Sequence, residues 1–429
     1  MTNSPKKVPC KNPNCNKSIL EITANKTGGY CYPCYNNIKA KEREEYIKNN
    51  IKYINLYEGI NDPVEIIKIM NKEKKYDPLI KYIDYPKSEG ELYELLSDSQ
   101  VEELKLYAIN LYDYDEDTCI NILLHLVCLR KVNIDDFLIH CIENENYLES
   151  SLFCGASDDV SNCLLNKLNT LDDSNTNLSH ILYSLAMIGN DRIVRIFSNW
   201  KENGSPFDDK LYTKAYEYSY EGGWEIDNEG KRRNLYYNNS HSITDKSCTD
   251  NIAVNFLNKE TNKCPCCGKP LFSLFRLNTT NLAMLNLKKY KPNKLNISTC
   301  IYCTCYDPIY TDIDLNGNTS WSKINTISDP LYIPECEEDE DYNNNYYVDT
   351  NPKCSTYASN QFLKMKLTKI GGMPAWIQDA DYPTCPKCNN TMKFIGQISM
   401  EDFEEYGEGI YYGFLCEDCN IASTTYQQT

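Results

Sequence analysis

The chain has 429 residues and a formal net charge of −17, and 41% of its residues are hydrophobic. A chain of this length is expected to form two to four domains, and its apolar content argues against a disordered protein. The longest apolar run, Ile122–Leu129, is interrupted by His125 and is too short to cross a bilayer. Met1–Leu20 lacks the apolar core of a secretory signal, so we expect a cytoplasmic protein without a membrane partner.

The 22 cysteines are the strongest signal in the sequence. In a reducing cytoplasm, regularly spaced cysteine pairs bind metal more often than they form disulfides. Twelve of these cysteines fall into three groups of four. Four thiolates complete a tetrahedral shell and leave no open position for a substrate. The sequence therefore predicts about three zinc ions with a structural role.

The first group predicts a treble-clef finger at the amino end of the chain. Gly28 and Gly29 allow a tight turn before the second cysteine pair, and residues 38–57 have the composition of a charged helix. A knuckle, a short hairpin and a second knuckle at a helix start are typical of this finger, which is predicted to span residues 1–57. Its predicted zinc ligands are Cys10, Cys15, Cys31 and Cys34.

Residues 58–202 predict a helical domain. Val101, Leu104 and Ala108 are spaced to lie on one helix face, and a break at Gly189–Asn190 separates two later helices. Paired short helices of this kind resemble HEAT or armadillo repeats, but no strict period is visible, so an ordinary helical bundle is the alternative. Five further cysteines are expected to be small core residues in these helices: Cys119, Cys128, Cys141, Cys154 and Cys163.

Residues 203–335 are predicted to form a connector followed by a first zinc ribbon, in which each Cys-x2-Cys pair occupies a turn between strands. Cys266 and Cys305 flank this site and could either adjust it or be surplus thiols. A redox dithiol within 264–267 is the alternative, although a dithiol does not need a second pair at ribbon distance. The predicted zinc ligands are Cys264, Cys267, Cys300 and Cys303.

Residues 336–429 are predicted to begin with a solvated acidic segment, 336–351, and to continue as a β-rich domain with a second zinc ribbon. Strands are expected at 392–398 and 409–415. The predicted zinc ligands are Cys385, Cys388, Cys416 and Cys419. The expected fold class is multidomain α+β, with an amino-terminal treble-clef finger, a central helical repeat array and a β-rich domain that contains a zinc ribbon.

The segment Ile370–Gln378 contains a G-G-x-P-x-W turn, whose residues are Gly371, Gly372, Pro374 and Trp376. This turn and the later strand Phe394–Gln397 resemble the YwqG-like bacterial domain family and, more distantly, the carboxyl domain of the programmed-cell-death-protein-two group. The resemblance covers about the last 75 residues, and the embedded zinc ribbon departs from the simplest members. It implies a binding domain, in some relatives one that neutralises toxins, and it supplies no catalytic residue.

Histidine, the commonest general base, is rare in this chain. His125, His140 and His180 lie in predicted helices, as surface or satisfied core residues. His241 lies in a polar stretch and is interpreted as a plain loop histidine. The sequence has no phosphate-binding loop, dinucleotide fingerprint, zinc-protease motif or nucleophile elbow. We therefore expect a protein that is not an enzyme.

The favoured hypothesis is a zinc-stabilised scaffold that binds another protein with a basic surface, and the resemblance adds toxin neutralisation to it. Residues 306–429 contain seven Lys and Arg against twenty Asp and Glu, so this end would attract such a partner. An acidic cluster beside three tyrosines is a candidate contact surface, although a merely solvated face is the slightly favoured interpretation. The residues of this cluster are Glu401, Asp402, Glu404, Glu405, Glu408, Tyr406, Tyr411 and Tyr412.

Nucleic-acid binding is the second hypothesis, because the first finger is basic and a second basic run follows it later in the chain. The overall acidity disfavours this hypothesis, since most of the surface would repel phosphates. A thiol-based redox enzyme is the third and least favoured hypothesis. The basic residues concerned are Lys6, Lys7, Lys11, Lys17, Lys288, Lys289, Lys291 and Lys294, with Tyr290 among them.

Overall fold

The computed structural model of the chain forms two compact units, Met1–Lys87 and Ser88–Thr429. This division differs from the boundaries predicted after residues 57, 202 and 335. No helix in the described part of the chain is long and apolar enough to span a membrane. The structure describes residues 6–171, 177–244, 251–287, 294–325, 346–404 and 407–429.

The first unit combines a short hairpin with helices. The hairpin pairs β1 with β2 in antiparallel fashion, with Val8 opposite Ile19. Helix α2 begins earlier than the predicted segment 38–57, because Pro33 favours a first helical turn directly after Cys31. The elements are β1 (Lys7–Pro9), β2 (Ser18–Leu20), α1 (Glu21–Thr27), α2 (Tyr32–Asn50), β3 (Lys52–Ile54), α3 (Pro63–Met70) and β4 (Ile80–Tyr82).

The second half of this unit explains why it extends beyond residue 57. Strands β3 and β4 pair in parallel, and α3 connects them. Asp62 caps α3 by accepting a hydrogen bond from the Val64 backbone at 3.1 Å, while Ile66 and Ile67 are fully buried. Because β3 pairs with β4, residues 52–82 form one β-α-β unit. Sequence periodicity alone does not predict the pairing of these two strands.

The second unit begins with helices that pack against their neighbours in the chain, α5 on α6 and α7 on α8. The faces predicted from apolar spacing are buried, including Val101, Leu104 and Ala108. Gly189 ends one helix in a left-handed conformation, as the predicted break requires. The helices are α4 (Glu89–Leu95), α5 (Asp98–Leu111), α6 (Glu116–Arg130), α7 (Asp135–Glu143), α8 (Asp158–Thr170), α9 (Leu178–Ile188) and α10 (Asp191–Asn203).

A short 3-10 helix, Ser150–Phe153, lies between α7 and α8. The rest of the second unit is mainly β structure, with short 3-10 helices at Asp208–Lys210, Ala215–Tyr220 and Met400–Asp402. The strands predicted at 392–398 and 409–415 are present, each within one residue of its expected start. The elements are β5 (Trp224–Ile226), β6 (Arg232–Asn234), β7 (Ser240–Thr244), β8 (Asn251–Lys263), β9 (Pro270–Leu277), α11 (Thr279–Leu285), β10 (Leu295–Thr299), β11 (Ile309–Ile313), β12 (Thr319–Trp321), β13 (Tyr346–Asp349), β14 (Lys369–Gly371), β15 (Lys393–Ser399), β16 (Ile410–Cys416) and β17 (Ile421–Gln427).

One sheet of eleven strands unites both halves of this β region, in the order β10-β9-β8-β13-β7-β14-β15-β16-β17-β11-β12. Strands from before and after residue 335 alternate in this order, so the predicted boundary there does not separate two structural units. The strands before and after residue 335 also share one arrangement of strands and cysteine pairs, seen in β9–β10–β11 and again in β15–β16–β17. In each set of three strands, one cysteine pair precedes the first strand and another precedes the third. The third strands, β11 and β17, pair in antiparallel fashion.

The G-G-x-P-x-W segment leaves the sheet after β14 and forms a loop, here called the tryptophan loop (residues 373–379). Four buried polar side chains from neighbouring strands hold its backbone. Lys369 donates to the Met373 carbonyl, and Gln397 accepts from the Ala375 amide at 2.8 Å. The remaining contacts come from Tyr412 to the Ala375 carbonyl and from Gln427 to the amides of Ile377 and Gln378. The loop is therefore fixed by specific hydrogen bonds rather than by packing alone.

Candidate metal centres

The first unit brings together the four cysteines of the first predicted group. Cys15 and Cys31 lie 3.7 Å apart between their sulfurs, and the Cys31 amide donates a hydrogen bond to the sulfur of Cys10 at 3.2 Å. Cys31 is the residue before α2, and Cys34 lies in its first turn, where Asn12 donates to its sulfur at 3.1 Å. The second cysteine pair of this group therefore lies at a helix amino terminus.

The second group forms between two turns at the ends of β8, β9 and β10. The sulfurs of Cys264 and Cys303 are 3.7 Å apart, and those of Cys267 and Cys300 are 3.4 Å apart. Gly268 closes the first turn in a left-handed conformation, with its amide bonded to the Cys264 carbonyl at 2.9 Å. Its missing side chain allows the chain to reverse directly after the second thiol.

The third group repeats this arrangement around β15 and β16. Cys388 and Cys416 are 3.7 Å apart between their sulfurs, and Cys385 is fully buried. Asn389 and Asn420, which follow the second cysteine of each pair, adopt left-handed conformations. Asparagine tolerates this conformation better than most residues. Glycine or asparagine directly after a Cys-x2-Cys pair is thus a local sequence signal for these turns, in addition to the cysteine spacing.

In all three groups the four sulfur atoms lie within 4.8 Å of one another. A tetrahedral ion with metal–sulfur bonds of about 2.3 Å requires sulfur–sulfur edges of about 3.8 Å, close to the observed distances. A disulfide would require a separation of about 2.05 Å, and these cysteines are free. The side chains present therefore fit a four-coordinate metal ion in each group.

The electrostatics of the groups lead to the same conclusion. A hydrogen bond from Cys300 lowers the pKa of Cys264 to about 5, and the shared proton raises the pKa of Cys300. Burial raises the pKa of Cys416 in the third group. Crowded thiols do not all ionise unless a cation compensates their charge, so a metal ion that displaces the protons would stabilise each group.

The two flanking thiols of the second group do not belong to its set of four sulfurs. Burial raises the pKa of Cys266 to about 11, which makes it a poor nucleophile. Cys305 is exposed and donates to the Ile301 carbonyl at 3.3 Å.

The histidines occupy positions that differ in part from those expected. His125 is a satisfied core residue, bonded to the Asn121 carbonyl at 2.7 Å and to the Lys364 amide at 2.9 Å. His241 is not a loop residue: it lies in β7, is buried, and contacts the Asp349 carbonyl at 2.9 Å. Its alternating polar neighbours resemble a loop in sequence, but cross-strand pairing with β13 and β14 determines the strand.

The acidic cluster does not have the arrangement that the sequence suggested. Tyr411 and Tyr412, predicted to lie beside it on the surface, are buried in the sheet because both faces of β16 are covered. Asp402 accepts the Thr368 amide at 2.7 Å and so serves the fold. Glu401, Glu404 and Glu408 are exposed. The cluster members Glu405 and Tyr406 lie outside the described residues, as do Lys288, Lys289, Tyr290, Lys291 and most of the acidic segment 336–351.

Comparisons with known proteins give one extensive similarity. The chain is 34% identical over 428 residues to the uncharacterized protein YpfL of Salmonella typhimurium, and the alignment covers 99% of each chain. No family model and no solved structure matches the chain. The similarity therefore extends over all three cysteine groups rather than over a single module.

Proposed function

The chain belongs to the same family as YpfL of Salmonella typhimurium. For this member we propose a scaffold that is stabilised by zinc and binds a partner protein with a basic surface. The observation that carries the proposal is the geometry of the three cysteine groups. Their sulfur–sulfur distances of 3.4 and 3.7 Å suit a closed tetrahedral shell. A closed shell has no coordination position for a substrate, so its metal serves the fold.

Zinc is the proposed ion for all three groups. Four thiolates are soft ligands and form the shell that structural zinc prefers, particularly where no redox step is required. The proposal gives the chain about three zinc ions. It includes the finer assignments: a treble-clef finger for the first unit, zinc ribbons for the two later groups, and HEAT-like packing for the helices.

Binding to a basic partner is supported by charge. The net charge of −17 attracts cationic surfaces over long range and accelerates association with them. Toxin neutralisation would be one form of such binding, and the resemblance of the tryptophan loop to YwqG-like domains is what supports it. Nucleic acid carries the same sign of charge as this chain and is disfavoured as a partner.

The proposed function is tested with the full-length, zinc-loaded protein and three fluorescent probes at physiological salt. Two are peptides of equal length, one alternating glycine with arginine and the other alternating glycine with glutamate; the third is duplex DNA. We expect saturable binding of the arginine peptide alone, and its loss after zinc is removed with a chelator. Tight, salt-sensitive retention of the duplex would favour nucleic-acid binding instead, and no binding of the arginine peptide would contradict the proposal.

A further inference from the structure

A cavity of about 520 Å³ opens in the second unit where helix α9 faces the tryptophan loop. One wall comes from α9, with His180, Tyr183 and Met187, and the opposite wall contains Trp376. Cavities of this size with a few polar groups accommodate small ligands or single side chains of a partner. None of the twelve predicted metal ligands lines it.

The charges around this cavity are all of one sign. Among the described residues its lining contains the carboxylates of Glu149, Glu221 and Asp379 and neither lysine nor arginine. Each carboxylate has a neutral partner: Asn360 donates to Glu149 at 3.1 Å, the Ala380 amide to Glu221 at 2.7 Å, and Tyr183 to Asp379 at 3.3 Å. These contacts satisfy single oxygen atoms and leave the negative charge uncompensated.

Glu221 is the most perturbed of the three carboxyl groups. Burial, together with the negative charges of Asp379 and Glu149, raises its pKa to about 7. A cation entering the cavity would remove this unfavourable energy by supplying the missing opposite charge. Uncompensated carboxylates in a concave site are therefore complementary to a positively charged ligand.

The shape and the walls indicate an organic cation rather than a metal ion. Within the described residues, side chains converge to metal-binding distance only in the three cysteine groups, so these carboxylates do not form a metal cage. The indole of Trp376 provides an aromatic wall and packs against Tyr412, with ring centroids 4.6 Å apart and the ring planes tilted by 34°. Planar guanidinium groups stack on such rings and bond to carboxylates at the same time.

The wall that carries Trp376 is preorganised. The backbone of the tryptophan loop is held by Lys369, Gln397, Tyr412 and Gln427, which come from four different strands. A loop fixed in this way loses little conformational entropy when a ligand binds.

We propose that this cavity is the site at which the protein binds an arginine side chain of its basic partner, with Glu221 and Asp379 pairing the guanidinium and Trp376 stacking on it. This proposal rests on the proposed function and assigns a location to it. The acidic cluster at 401–408, here called the acidic tail, was a candidate contact surface from the sequence and then contributes only long-range attraction.

The test uses the arginine peptide and full-length, zinc-loaded variants. Glu221→Gln with Asp379→Asn retains the shape and one acceptor oxygen in each side chain but removes two charges. Glu401→Gln with Glu404→Gln removes two charges from the exposed acidic tail and is the matched control. We expect the cavity variant to weaken binding about tenfold or more and the tail variant about twofold or less. Free arginine should compete with the peptide, whereas citrulline, its neutral analogue, should not.

A pH series distinguishes a direct role from a structural one. Because Glu221 gains charge as the pH rises through about 7, peptide affinity should increase between pH 6 and pH 8, and Glu221→Gln should flatten this increase. The groups that face Glu221 are Glu149, Asp379, Tyr183 and Tyr382. His180 also lines the cavity, so His180→Gln is measured as well.

The outcomes separate this proposal from the general one. If the arginine peptide binds and the cavity and tail variants weaken it equally, the cavity assignment is wrong and the scaffold proposal stands. A pH dependence that persists in Glu221→Gln but disappears in His180→Gln would also overturn the assignment. If the peptide does not bind the wild-type protein at all, both proposals fail.

Discussion

The side chain of Lys369 is a fully buried amine at the start of β14. It donates hydrogen bonds to the carbonyls of Tyr357, at 2.7 Å, and Met373. Burial lowers its pKa from 10.5 to about 7. Between these two values the unfolded chain binds more protons than the folded chain, so the cost of burying this lysine is greatest below pH 7 and decreases as the pH rises towards 10.5.

Lys369→Met should therefore destabilise the protein by an amount that depends on pH. The loss of the donor leaves two buried carbonyls without their partner, which favours the wild type at every pH. The advantage of the wild type should grow by up to about 1.4 kcal/mol per pH unit between about pH 7 and pH 10. Urea unfolding of both proteins across this range measures the difference, and a difference independent of pH would contradict the buried neutral amine.

The sequence predicted the roles of some single residues and not the burial of others. The zinc-ligand candidates were predictable because two thiols separated by two residues can grip one ion from a single turn, which is a local property. The structure brings the same three groups of four together. His241, Tyr411 and Lys369 were not predictable, since their burial depends on strands that are distant in the sequence.

The turn after β14 shows why one element requires glycine. Gly371 has a φ of 69°, and a Cβ atom there would lie 2.0 Å from the Asn239 carbonyl oxygen. Gly155 has a φ of 76°, but a Cβ atom there would meet nothing within 4 Å. The two positions share the left-handed conformation and differ only in the space around them.

Gly371→Ala should thus destabilise the protein more than Gly155→Ala. Both substitutions force an alanine into the left-handed region at a cost of about 1–2 kcal/mol. At Gly371 the clash with backbone should add about 2 kcal/mol or more. Chemical denaturation of the two variants measures this; equal losses of unfolding free energy would show that the close approach at Gly371 is absent.

The third cysteine group should control the local stability of its own strands. Cys385→Ser removes one thiolate of four, so β15–β17 should exchange amide hydrogens faster, whereas α5–α9 should change less. Cys141→Ser is the matched control, because Cys141 is equally buried but lies in α7, outside the groups. Hydrogen exchange read by mass spectrometry tests this, and unchanged exchange in β15–β17 of Cys385→Ser would argue against a metal there.

Elements with a strong local pattern were easier to predict than their pairing. The helix face containing Val101 and Leu104 and the strands around 393–399 and 410–416 follow from periodicity and β-propensity. The pairing of β11 with β17, and of β3 with β4 across a helix, follows from contacts between distant segments. No local pattern encodes those contacts, and for this reason the predicted domain boundaries differ from the observed units.

For the whole molecule, the three cysteine groups lie at different kinds of places in the fold. The first lies in a small unit whose hairpin is only three residues per strand, and α2 has no buried residue. The other two fasten the turns of one large sheet. A short hairpin is marginally stable by itself, so a bound ion would supply folding energy there.

The most direct test is the metal content of full-length protein purified without added zinc, measured by mass spectrometry of the metal against protein concentration. We predict close to three zinc ions per chain, one for each cysteine group. Cys15→Ser, Cys267→Ser and Cys388→Ser should each reduce this number by about one, while Cys141→Ser should leave it unchanged. A value near one in the wild type, or a value unaffected by all three ligand substitutions, would contradict the assignment of three structural zinc sites.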